Sequence, residues 1–74
     1  KQLQPKMDIR DSVGGHVRRL RTEANLSQQV LADSCDIYRT YLSRIEGGTA
    51  NPTINVLAAL AETLKVEIGE FFKT

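Results

Sequence analysis

Four polar side chains that can form hydrogen bonds lie, with Tyr41, within one short run of the sequence, between Tyr38 and Glu46. Two are arginines, whose guanidinium groups can donate two parallel hydrogen bonds, and two are short hydroxyl residues that permit close approach. Leu42 and Ile45 are spaced so that they share the opposite face of a helix. The run therefore predicts a helix with one buried face and one polar, basic face that consists of Arg39, Thr40, Ser43 and Arg44.

A second short helix is predicted just before this one. Ser27 can cap it by accepting a hydrogen bond from a free backbone amide, and the helix is expected to extend to about Cys35. A turn at residues 36–37 then leads into the helix over residues 38–46, which Gly47–Gly48 end. A rigid helix pair with a polar, basic second helix is typical of small domains that read the DNA major groove.

The remaining sequence predicts more helices and no strands. One helical apolar pattern begins after Asp8, and a longer one follows a cap at Thr53. A short fifth helix is expected over residues 67–72. We therefore expect one all-α domain of five helices over residues 8–74, after a flexible tail at residues 1–7. The helix-turn-helix would be formed by helices 2 and 3.

The distribution of charge favours an anionic partner more than the net charge of +1 does. All six arginines lie between Arg10 and Arg44, and after Arg44 the chain carries four acidic residues against two lysines. The alternative is that these charges are ordinary solvated helix faces. No apolar run approaches the ~20 residues that cross a bilayer, so no membrane partner is expected. The single cysteine excludes an internal disulfide and favours a reducing, cytoplasmic location.

Composition and motifs do not favour an enzyme. A catalytic dyad of Cys35 and His16 is the one alternative, but no oxyanion loop or orienting partner is evident beside either residue. The sequence also contains no phosphate-binding glycine loop and no cluster of metal ligands. We therefore expect no catalytic activity, no cofactor, no metal and no small-molecule ligand.

These features resemble the lambda-repressor-like, or Xre-type, helix-turn-helix family of bacterial and phage DNA-binding regulators, from about Ile9 to Phe72. Residues 39–43 are most similar to the small controller proteins of restriction–modification systems. The sequence departs from the family pattern at Asp36, where glycine is usual, and at Tyr38, where a short capping residue is usual. The resemblance rests on Leu26-Ser27-Gln28, Leu31-Ala32, the run from Arg39 to Gly48, Asn51-Pro52-Thr53, Leu57, Leu60-Ala61, Leu64 and the run from Val66 to Phe72.

The resemblance implies a transcription regulator that reads double-stranded DNA with its third helix. Arg39 can donate two hydrogen bonds to guanine O6 and N7, and Thr40 can contact a thymine methyl group. Arg44 can reach a base or a phosphate, or alternatively form a surface ion pair with an acidic neighbour. The expected base contacts are therefore Arg39, Thr40, Ser43 and Arg44.

Other residues are expected to contact the DNA backbone or to hold the helices together. By resemblance Gln28 faces a phosphate, and the alternative is that it is an exposed polar residue. Tyr41 could either lie partly in the core or contact DNA. The resemblance pairs Arg21 with Glu46 as a structural ion pair. The expected backbone contacts are Gln28, Tyr41, Thr49 and Asn51.

We expect a homodimer on an inverted-repeat operator, since one small module makes few base contacts and pairing doubles the site. Surplus apolar residues in the C-terminal third form the expected dimer face, although some could instead belong to the core. A protein-interaction module on the same fold, such as an antitoxin or an adaptor domain, is the alternative function. The expected dimer residues are Val56, Ile68, Phe71 and Phe72.

Overall fold

The computed structural model describes residues 8–73, which form an all-α fold, as expected. The tail expected at residues 1–7 lies outside the described residues. The count of five helices is not confirmed, because the element expected over residues 67–72 is a 3₁₀ helix that begins at Ile68. It has only five residues and contains Gly69, and short pieces of this kind favour the tighter 3₁₀ geometry. The elements are α1 (Ile9–Glu23), α2 (Gln28–Ser34), α3 (Arg39–Glu46), α4 (Ile54–Leu64) and the 3₁₀ helix (Ile68–Phe72).

Three of the four α-helices begin with a side-chain cap. Asp8, Ser27 and Thr53 each accept a hydrogen bond from a backbone amide in the first turn of their helix. The guanidinium of Arg10 donates to Asp8 and lowers the pKa of that carboxyl from 3.8 to about 2, so the cap of α1 stays ionised. At the start of α3, Tyr38 supplies no side-chain cap.

All four α-helices end in the same way, with one residue in the left-handed conformation. The amide that follows this residue bonds to the carbonyl five positions earlier, as when Ile37 donates to Ala32 over 3.0 Å. Only one of the four residues is a glycine, so the other three occupy a backbone region that is strained for residues with a Cβ. The four are Asn25, Asp36, Gly48 and Lys65.

The core lies between α1 and the four following elements. Its largest completely buried side chains are those of Phe71, Leu31, Leu42, Ile45, Leu60 and Val17. Close packing of α1 on the end of α3 depends on Gly14. A Cβ there would collide with the carbonyl oxygen of Ile45 and would lie 2.8 Å from that of Glu46. The position of α3 is therefore fixed by direct contact with the backbone of α1.

Candidate nucleic-acid interface

Helix α3 has two faces of opposite character, as the sequence predicts. Leu42 and Ile45 are buried, together with Leu31 and Ala32 of α2, and this packing joins the two helices. The opposite face of α3 is exposed along its whole length. We call the exposed residues of that face the α3 strip: Arg39, Thr40, Ser43 and Arg44.

The two arginines of the α3 strip differ in whether their guanidinium groups bind other residues. Arg39 has no ion pair or hydrogen bond through its side chain to any residue between 8 and 73. Arg44 donates from Nη2 to the carbonyl oxygen of Thr49 over 3.3 Å, and the Thr49 hydroxyl lies 3.4 Å from the Arg44 carbonyl oxygen. The acidic partner considered for Arg44 is not found among the described residues. Arg44 is thus tied to the loop after α3, whereas Arg39 is free to bind a partner.

A buried carboxylate holds the end of α3 in place. The Glu46 side chain is 1% exposed, and Arg21 donates to it from Nε over 2.6 Å and from Nη2 over 3.1 Å. The third guanidinium nitrogen of Arg21 donates to the Leu26 carbonyl over 2.8 Å. Arg18, which is largely exposed, approaches the same carboxylate within 3.7 Å. Because both carboxylate oxygens accept hydrogen bonds from a guanidinium group, a buried charge is tolerated here and joins α1 to α3.

Gln28 has a partner that the sequence did not indicate. Its amide nitrogen donates to Glu46 over 3.0 Å, and its side chain is half-buried. One hydrogen of the amide nitrogen therefore belongs to the Glu46 network, and contact of its second hydrogen with a phosphate stays a prediction. Helical spacing could have pointed to Arg18, three positions before Arg21. The Gln28 contact depends on how α2 meets α3, and no local pattern predicts it.

The other residues expected at the DNA backbone flank the α3 strip. Tyr41 is half-buried and packs against the core, so it belongs partly to the interior. Thr49 and Asn51 are exposed in the loop after α3. This loop begins at Gly48, where φ is +80° and a Cβ would collide with the Asp11 carboxylate. The loop can therefore lie close to α1 while its polar residues face outward.

Known proteins with this arrangement are similar to the chain in sequence as well as in fold. A helix-turn-helix family model matches residues 17–71. The chain belongs to the helix-turn-helix family. It is 39% identical over 61 residues to the control protein C.BamHI of Bacillus amyloliquefaciens, covering 81% of this chain and 75% of that one. The restriction-modification controller protein C.AhdI of Aeromonas hydrophila has a similar structure, with TM-score 0.82, 33% identity and coverage of 85% and 96%.

A further helix-turn-helix relative comes from Sinorhizobium fredii. It is an uncharacterized HTH-type transcriptional regulator, 40% identical over 60 residues that cover 81% of this chain and 78% of that protein. Similarity to controller and regulator proteins thus extends over most of the chain. The family resemblance inferred from the sequence is confirmed.

The expected dimer face of this helix-turn-helix protein needs one correction. Phe71 is completely buried in the core, so its side chain cannot contact a second copy in this fold. The 3₁₀ geometry turns Phe71 inward and leaves Phe72 41% exposed. Val56 and Ile68 are half-buried and pack against the core. The surface that remains available to a second copy contains Phe72 and the outer parts of Val56 and Ile68.

The groups considered for catalysis have separate partners. The Cys35 thiol lies 3.5 Å from the Thr63 hydroxyl, whereas His16 Nε2 lies 2.7 Å from the Lys73 carbonyl oxygen. Arg19 is close to the other ring nitrogen of His16, so the imidazole is part of a surface contact that includes the C-terminal segment. Between residues 8 and 73 the structure brings no three potential ligands together for a metal ion. None of the helices described is long and apolar enough to cross a membrane.

Proposed function

We propose that this chain is a sequence-specific transcription regulator that binds double-stranded DNA as a homodimer, with α3 in the major groove. The observation that carries the proposal is the α3 strip, which is exposed and basic and contains Arg39, a guanidinium with no partner among residues 8–73. A free guanidinium at the start of a recognition helix suits bidentate contact with a guanine. The controller and regulator proteins related to this chain support the same class of function.

The rigid position of the α3 strip supports sequence-specific binding of DNA rather than non-specific binding. The strip is held from behind by buried Leu42 and Ile45 and at its end by the Glu46 network. A side chain discriminates between bases only if its helix keeps a fixed register on the duplex. In the proposal Arg39, Thr40, Ser43 and Arg44 contact bases, and Gln28, Tyr41, Thr49 and Asn51 contact the sugar–phosphate backbone.

Dimer formation follows from the small size of one α3 strip. Two copies related by a twofold axis would place two recognition helices on half-sites about 34–36 Å apart, one turn of DNA. The partly exposed Phe72, with Val56 and Ile68 beside it, provides the apolar surface that we assign to the second copy. The operator is then expected to be an inverted repeat.

Selection of bound sequences from a random pool of duplex DNA tests this function. We expect the wild-type chain to enrich an inverted repeat, with binding that weakens as salt rises. Arg39→Ala should lose the enrichment at one position of each half-site. Lys65→Gly removes the same single charge far along the chain from the α3 strip and should select the same repeat as wild type. Recovery of random sequences by the wild-type chain would contradict the proposal and favour a protein-interaction module.

A further inference from the structure

Tyr38 is the most exposed large apolar side chain among the described residues, with 83% of its surface accessible. It immediately precedes Arg39, at the point where α3 begins. Its backbone is extended, with φ −72° and ψ 143°, and its side chain makes no capping hydrogen bond. An aromatic ring so fully exposed gains nothing from the core of this domain.

Among the four α-helices of residues 8–73, α3 is the one that begins without a side-chain cap. Asp8, Ser27 and Thr53 cap the other three α-helices through short polar side chains. A short polar residue at position 38 would stabilise α3, and the chain instead carries a tyrosine there. Local rules that are broken without a structural gain typically mark functional positions.

The surroundings of Tyr38 favour a base over a phosphate as its partner. A shallow depression beside the ring is lined by Asp33, Asp36, Ile37 and Tyr38 itself. Two carboxylates there repel a phosphate, so the DNA backbone is not expected to lie in this depression. The first residues of a recognition helix approach the base edges. An apolar ring at that point fits the only apolar group in the major groove, the 5-methyl group of thymine.

We propose that Tyr38 is a fifth specificity-determining residue, whose ring packs on the methyl group of a thymine next to the base pair that Arg39 contacts. This inference rests on the proposed function, because it requires α3 to enter the major groove. It adds an A·T preference to each half-site at a position that the α3 strip alone does not determine. The exposed ring, the missing cap and the acidic depression are three separate observations that agree with it.

Replacement of single thymines by deoxyuridine in the selected operator provides the test, since deoxyuridine pairs identically and lacks only the methyl group. Wild-type affinity should fall about fourfold at the thymine beside the base pair that Arg39 contacts, the effect of one apolar carbon leaving a buried contact, and separately at any thymine that Thr40 contacts. Tyr38→Asp should not respond to the first of these replacements. Tyr38→Phe should behave as wild type, because the ring rather than the hydroxyl makes the contact.

Two controls separate this inference from its alternatives. Thr40→Ser removes a different methyl contact, so it should still respond to deoxyuridine at the thymine assigned to Tyr38. Tyr38→Asp supplies the missing cap and should raise the melting temperature by about 4 °C, which separates weaker binding from unfolding. A Tyr38→Asp chain that responds to every deoxyuridine as wild type does would overturn the inference while the proposed function stands. Wild-type binding without sequence preference would overturn both.

Discussion

At the scale of single residues, the site contains side chains without a partner among the described residues and side chains that already bind other residues. Arg39 has no partner among residues 8–73, while Arg44 is bound to the carbonyl of Thr49. Glu46 is satisfied by Arg21 and Gln28 from two other helices. The free residues are the ones that can discriminate between ligands, and the committed residues determine where the free ones stand.

Arg21→Ala should destabilise the fold. The substitution leaves a nearly buried Glu46 with only Gln28 and the more distant Arg18, so we expect a loss of about 3 kcal/mol in the free energy of unfolding. Arg19→Ala breaks only surface ion pairs and should change it by less than about 1 kcal/mol. Chemical denaturation measures both variants. Equal stability of the two would mean that the Glu46 network does not hold α3.

At the scale of elements, the sequence predicts the helices well because their signals are local. The caps at Ser27 and Thr53 and the turn after α2 lie where the sequence places them. What the sequence does not predict depends on contacts between elements. The inward turn of Phe71 follows from how the 3₁₀ helix packs, and the hydrogen bond from Gln28 follows from how α2 meets α3.

The two adjacent glycines of α1 provide a matched test of how that helix packs on α3. A Cβ on Gly14 would collide with the backbone of Ile45, whereas a Cβ on Gly15 would meet no atom within 4 Å. Gly14→Ala should therefore destabilise the fold by about 1–3 kcal/mol. Gly15→Ala should stabilise it by about 0.5–1 kcal/mol, since alanine favours the helix. Thermal unfolding distinguishes them, and a stabilising Gly14→Ala would refute the close contact.

At the scale of the whole molecule, the described residues present an exposed polar, basic surface and an apolar surface that the core does not cover. The α3 strip lies on the first surface, and Phe72 lies on the second. In the proposed dimer the apolar surface determines how far apart the two α3 strips stand. Reading of an inverted repeat is then a property of the pair and not of either copy.

Phe72→Glu should shift the chain from dimer to monomer. The side chain is already 41% exposed, so a charge there should be tolerated by the fold but not by an apolar interface. Val30→Glu places the same charge on an exposed apolar residue of α2 and should leave the dimer intact. Sedimentation without DNA at micromolar concentrations measures both. A wild-type chain that stays monomeric at high concentration and on DNA would contradict the assigned dimer face.

The most direct test of the account is the affinity of Arg39→Ala and Gln28→Ala for the selected operator and for its single-base variants, at two salt concentrations. We expect Arg39→Ala to lose about 1–3 kcal/mol on the operator and to lose preference at one base pair of each half-site. Its affinity should fall least on duplexes that already lack the guanine. Gln28→Ala should weaken binding to all sequences alike, because a phosphate carries no sequence identity. Equal weakening of every duplex by Arg39→Ala would contradict the placement of α3 in the groove.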